Sequence, residues 1–93
     1  MLPLTETVSF NTHLQNGNRF QIPNIVRWRY KLEVSQPLNV KVHILGLMCV
    51  REKFFTKMRK DGRITIPALT ITMLKKNAPD LKGYALEVTL SPN

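Results

Sequence analysis

The chain repeats itself at a spacing of 44 residues, and any fold must satisfy both copies at once. At that offset Phe10 meets Phe54, Thr12 meets Thr56, Arg19 meets Arg63, Ile22 meets Ile66, Pro23 meets Pro67 and Lys31 meets Lys75. Conservative pairs fill the gaps: Leu14 with Met58, Phe20 with Ile64, Gln21 with Thr65, Ile25 with Leu69. The late alternation from Val40 to Ile44 meets Tyr84 to Val88 in the same parity and without a gap. The identities gather on the strand faces and the helix-starting proline, whereas chance would scatter them. We read a tandem duplication of a hairpin–short helix–strand unit, repeat one over about 8–45 and repeat two over about 52–90. A chain of 93 residues makes one domain, and neither unit is large enough to bury an apolar face alone. The two units are therefore expected to share one core across residues 1–93.

The second unit shows its chemistry best. Lys60-Asp61-Gly62 is a turn signal between two alternating runs, Phe54 to Arg59 and Arg63 to Ile66, which predicts a β-hairpin with Gly62 at positive φ. Pro67 stops the second strand, having no N–H for a ladder, and its fixed φ suits the first turn of a helix. Period-2 geometry puts Phe54, Thr56, Met58, Ile64 and Ile66 on a core face, and Lys57, Arg59, Arg63 and Thr65 on an outer, basic face. Repeat one has the same plan around Asn16-Gly17-Asn18, with Phe10, Thr12 and Leu14 inward. Phe10, Phe54, Ile22 and Ile66 are expected at the centre of the core.

The segment 24–34 points two ways. Val26 to Val34 alternates strictly, which taken alone indicates a strand and would set Arg27, Arg29 and Lys31 on one exposed face. The repeat indicates a short helix with Val26 and Tyr30 inward, and we follow the repeat. Strands are predicted from Val40 to Ile44 and from Tyr84 to Leu90, and a second helix from Ala68 to Asn77, ended by Pro79. Residues 1–7 read as a frayed leader, and Leu47, Met48 and Val50 as a join that crosses against the core.

Charge narrows the function. Fourteen Lys and Arg against six Asp and Glu give a net charge of +8 and a pI near 10.2, which points to a polyanionic partner. The stretch Arg51 to Arg63 alone carries six basic and two acidic side chains. A solvated basic surface is the ordinary alternative, but clustering on one hairpin face favours binding. No apolar run approaches a membrane span, the start lacks the pattern of a secretory signal, and the one cysteine, Cys49, precludes an internal disulfide, so a cytoplasmic location is expected. His13, His43 and Cys49 lack metal-ligand spacing, and no nucleophile–base signature, phosphate-cradling loop or carboxylate pair is present. We expect no enzyme, no cofactor, no metal, no membrane contact and no small-molecule substrate.

The run Asp61-Gly62-Arg63-Ile64-Thr65-Ile66-Pro67, a short helix and then Gly83 ahead of the last strand resembles the AbrB/SpoVT/MazE family. Repeat two matches that pattern throughout. Repeat one matches through its likeness to repeat two, with Asn18 in the place of Gly62 and Asn39 in that of Gly83, and asparagine tolerates the left-handed region. The resemblance implies a mainly β fold with short helices, a swapped-hairpin barrel of two interleaved units that binds double-stranded DNA as a transcriptional regulator. With both copies in one chain, as in the MraZ branch, it implies a monomeric pseudo-dimer or a homodimer of barrels. Carried onto this sequence, Arg63 and Arg19 take the family's Gly-Arg position, Lys57 a basic position on the first strand, and Arg27 a basic helix position that Ile71 replaces in repeat two. Arg59 and Lys60 join them by facing and charge, as does Arg29 beside Arg27, and the second hairpin is expected to be the stronger contact. An antitoxin or other protein-binding module on the same barrel is the alternative. MazE-like proteins hold their toxins with an extended, commonly acidic tail, whereas this sequence is basic and ends three residues after its last expected strand.

Overall fold

Pro23 and Pro67 each end a strand and start a helix, as their fixed φ predicts. Their backbones are nearly identical, with φ/ψ of −56°/141° and −57°/146°, and the amides of Arg27 and Ile71 return to their carbonyls at 3.1 and 3.0 Å. We analysed a computed structural model of the chain, which describes residues 6–46, 50–78 and 81–91. The elements are β1 (Val8–His13), β2 (Arg19–Gln21), α1 (Asn24–Arg29), β3 (Pro37–Ile44), β4 (Arg51–Lys57), β5 (Arg63–Thr65), α2 (Ala68–Lys75) and β6 (Ala85–Ser91), with a 3-10 turn at Leu81–Gly83 before β6. The fold is thus mainly β with two short helices. In the ambiguous segment the helix prevails: α1 turns Val26 and Tyr30 onto the core and ends where Lys31 enters the left-handed region at φ 52°.

The strands do not pair as local hairpins. Four form an antiparallel sheet in the order β1-β6-β3-β4, and β2 pairs antiparallel with β5 in a separate two-stranded ribbon. Every one of these ladders joins one repeat to the other. Of the expected hairpins only the tips remain, where the Gln15 amide donates to the Arg19 carbonyl at 2.7 Å and the Arg59 amide to the Arg63 carbonyl at 2.9 Å. An isolated two-stranded hairpin is marginal in water. Exchanging strands between units lets all the inward faces close on one cluster instead.

The exchange obeys a pseudo-twofold. In the ribbon Arg19 pairs with Thr65 and Gln21 with Arg63, which are images of each other at the 44-residue offset, and the axis passes between Phe20 and Ile64. The Ile22 amide reaches the Gly62 carbonyl at 3.0 Å, and its image, the Ile66 amide, reaches the Asn18 carbonyl at 2.9 Å. In the sheet the axis passes between Lys41 and Thr89. There β3 superposes on β6 at an offset of 48 residues, Leu38 on Leu86 and Val40 on Val88, not at 44 as the sequence suggested. Two of the extra four residues lengthen α2 relative to α1 and two lie between α2 and β6, where the 3-10 turn has no counterpart in repeat one. Four is even, so the same side chains face inward at either offset.

The core lies between sheet and ribbon. Phe20, Ile22 and Ile64 from the ribbon side meet Leu38, Val40, Val42, Ile44, Leu86, Val88 and Leu90 from the sheet, all at most 1% exposed. Ile66 belongs to this cluster, as expected, but Phe10 and Phe54 do not occupy its centre: both are half-buried at its edge, on the outermost strands β1 and β4. An edge strand has a neighbour on one side only, so its inward side chains are incompletely covered. Phe10 instead leans on Phe20, with ring centroids 6.3 Å apart. Among the described residues no helix is long and apolar enough to cross a membrane. Expectations for residues 1–5, for Leu47, Met48 and Cys49, and for Pro79 fall outside the described residues.

Candidate nucleic-acid interface

The ribbon has two faces, and its short strands dictate which side chains go where. Alternation buries Phe20 and Ile64, so Arg19, Gln21, Arg63 and Thr65 stand on the outer face. Because β2 pairs with β5, the two Gly-Arg-type arginines share this one surface. Cross-repeat pairing makes them diagonal neighbours about the pseudo-axis, a separation that long side chains span.

Arg63 is held in place. Its backbone amide donates to Asp61 Oδ1 at 3.1 Å, its Nη1 lies 3.6 Å from Asp61 Oδ2, and its Nε donates to Gln21 Oε1 at 3.4 Å. Gln21 in turn donates through Nε2 to the Asp61 carbonyl at 2.9 Å. The carboxylate is half exposed, so this pair orients the guanidinium more than it adds stability. Gln21 gives no signal in the sequence because its partners lie 40 and 42 residues away, across a ladder that local hairpins would not contain. Arg19 has no equivalent brace, since its cross-strand partner is Thr65; its Nε donates to the Asn16 carbonyl of its own turn at 3.1 Å.

The tip of the second turn is basic and exposed at Arg59 and Lys60, whereas the pseudo-equivalent tip carries Gln15 and Asn16. Gly62 adopts φ 80° and closes this turn, its amide donating to the Arg59 carbonyl at 2.9 Å. Arg27 from α1 lies over it: a Cβ at Gly62 would stand 2.8 Å from Arg27 Nε, closer than side chains approach one another. Arg27 also donates from Nη2 to Asn24 Oδ1, and its Nε is buried without a hydrogen-bond partner. Thus Arg27 joins the cluster by packing on the turn. Its image Ile71 is buried in the core, so α2 carries no basic side chain at that position.

Two expected members lie off the ribbon face. Lys57 ends β4 and belongs to the four-stranded sheet, opposite Pro37; it does not share a ladder face with Arg63. It lines a shallow groove with Val34, Ser35, Met58, Arg59 and Lys60. The change of sheet at the β4–β5 turn breaks the single outer face that continuous alternation implied. Arg29 is exposed in the last turn of α1, beyond Trp28.

No family model and no curated protein matches the chain. Among solved structures, the solution structure of PHS018 from Pyrococcus horikoshii is similar, with a TM-score of 0.73 at 22% identity over 99% of this chain and 94% of that one. At that identity the likeness speaks for the fold alone.

Proposed function

We propose that this protein is a double-stranded-DNA-binding transcriptional regulator of the AbrB-like type, built as a single-chain swapped-hairpin barrel. One observation carries the reading: the outer face of the β2–β5 ribbon gathers Arg19 from repeat one and Arg63 from repeat two about a pseudo-twofold. Arg27, Arg59 and Lys60 extend that surface at one tip. Duplex DNA has its own local twofold, so two related arginines on a rigid ribbon suit the two backbones of one groove. The exchange of strands between repeats supports the barrel, and the net charge of +8 supports a polyanion. No catalytic step and no cofactor enters this reading, and the expected location is the cytoplasm.

The contacts so assembled are backbone-positioning ones. Titration of labelled duplex DNA tests the proposal. Arg19→Ala, Arg63→Ala and the triple change at Arg59, Lys60 and Arg63 should each weaken binding. The slope of log K against log salt should flatten by about 0.9 for each phosphate that a variant no longer neutralises. Equal affinities for parent and triple variant would sink the assignment.

A protein-binding module is favoured by a different observation. Ile25 and Trp28 on α1 are 71% and 83% exposed, and Leu69 on α2, the image of Ile25, is 75% exposed. Large apolar side chains at the same point of both helices are what a partner protein would cover. Loss of DNA binding in an Ile25→Ser/Trp28→Ser variant would assign these residues to the DNA surface instead.

A further inference from the structure

The outer face of the four-stranded sheet, turned away from the core, carries a charge arrangement that DNA binding by the ribbon does not use. Across this face one row runs Ser9, Thr89, Lys41, Lys53, from β1 through β6 and β3 to β4. The pseudo-twofold passes between Thr89 and Lys41, so Ser9–Thr89 and Lys53–Lys41 are images of each other. The first half is closed: the Ser9 and Thr89 hydroxyls lie 3.0 Å apart in a hydrogen bond, and Thr89 is buried. The second half places Lys41 and Lys53 at directly opposite positions of adjacent strands, so two cationic side chains rise from neighbouring points of this face. The carboxylate in the neighbouring row, Glu87, lies 3.7 Å from His43 Nδ1. Where the neutral pair closes, the cationic pair borders a concave pocket of about 330 Å³ lined by Asn39, Val40, Lys41, Lys53 and Ser91. That volume is at the lower end of small-molecule sites, roughly 300–1,000 Å³.

We propose that this pocket binds the phosphate groups of a small phosphorylated molecule, with Lys41 and Lys53 as paired cations and Asn39 and Ser91 as uncharged hydrogen-bonding groups. Two lysines that border one pocket both attract a multiply charged anion lying between them. The pocket is too small for a duplex, and its lining comes from β3, β4 and β6. An effector acting here would do so through β3, the strand that joins β4 to β6.

The experiment uses the whole chain with pyrophosphate as the probe, against sodium chloride at equal ionic strength, read by thermal melting and by titration calorimetry. Pyrophosphate should raise the melting temperature of the parent beyond the salt control. Lys41→Gln/Lys53→Gln should remain folded and should bind pyrophosphate at least about tenfold more weakly. Lys53→Arg, which keeps the charge on the exposed edge strand, should retain most of the binding, and so guards against a folding defect in the double variant. The triple variant at Arg59, Lys60 and Arg63 should bind pyrophosphate as the parent does, which separates this site from the ribbon. A parent response no larger than the salt control would overturn the proposal. So would undiminished binding by the double variant, or a loss of binding confined to the ribbon variant.

Discussion

Gly62 is where backbone conformation, the turn and a candidate site residue meet, and replacing it tests the geometry directly. Gly62→Ala asks an L residue to hold φ 80°, and the new Cβ would stand 2.8 Å from Arg27 Nε. The left-handed conformation alone costs about 1–2 kcal/mol. In a domain of this size each kcal/mol lowers the melting temperature by about 4–8 °C, so Gly62→Ala should melt about 4–16 °C below the parent before any displacement of Arg27 is counted. Two further variants divide the loss. Asparagine tolerates this region, and Asn18 holds φ 54° at the image position, so Gly62→Asn should lose mainly what Arg27's displacement costs. Arg27→Ala removes the obstructing side chain, so Gly62→Ala should be less damaging in that background, the two changes coupling by at least about 0.5 kcal/mol. Denaturant unfolding of the four proteins in the Gly62/Arg27 cycle, with thermal melts alongside, measures both terms. If Gly62→Ala melts within about 1 °C of the parent, Gly62 is not held in the left-handed region; if the cycle shows no coupling, Arg27 does not pack on this turn and the basic tip is not organised as described.

Three further outcomes are expected. Phe20→Ala, at a side chain 0% exposed on the pseudo-axis, should cost about 3–5 kcal/mol in denaturant unfolding, and Phe54→Ala, half-buried on an edge strand, clearly less; the reverse order would contradict the placement of the core. Since every ladder crosses between repeats, fragments 1–46 and 47–93 should each show little strand structure by circular dichroism when dilute and regain it on mixing, and an independently folded first fragment would refute the exchange. Arg63→Ala should weaken DNA binding more than Arg19→Ala, because Arg63 is braced by Gln21 and Asp61 beside the basic tip, while Arg59→Ala should exceed Gln15→Ala because only one tip is basic; labelled-duplex titration reads both comparisons.

The sequence by itself determined what each residue does locally. Duplication, strand parity, the proline that ends each strand and starts each helix, and the left-handed Asn18 and Gly62 all follow from side-chain size and backbone sterics, which act within a few residues. The helical state of residues 24–29 was readable only through the second copy, because the segment's own alternation indicated a strand. Period-2 geometry tells which way a side chain faces but not which strand lies beside it, and both hairpin and exchanged pairings keep the same inward set. Burial across the whole molecule decided between them, since exchange closes one core that neither unit can close alone. Tertiary pairing therefore decided that Arg19 and Arg63 share a surface, that Gln21 braces Arg63, that Lys57 stands on the other sheet and that Lys41 faces Lys53. Each of these is a contact between residues far apart in the chain, and local sequence preference carries no information about its partner.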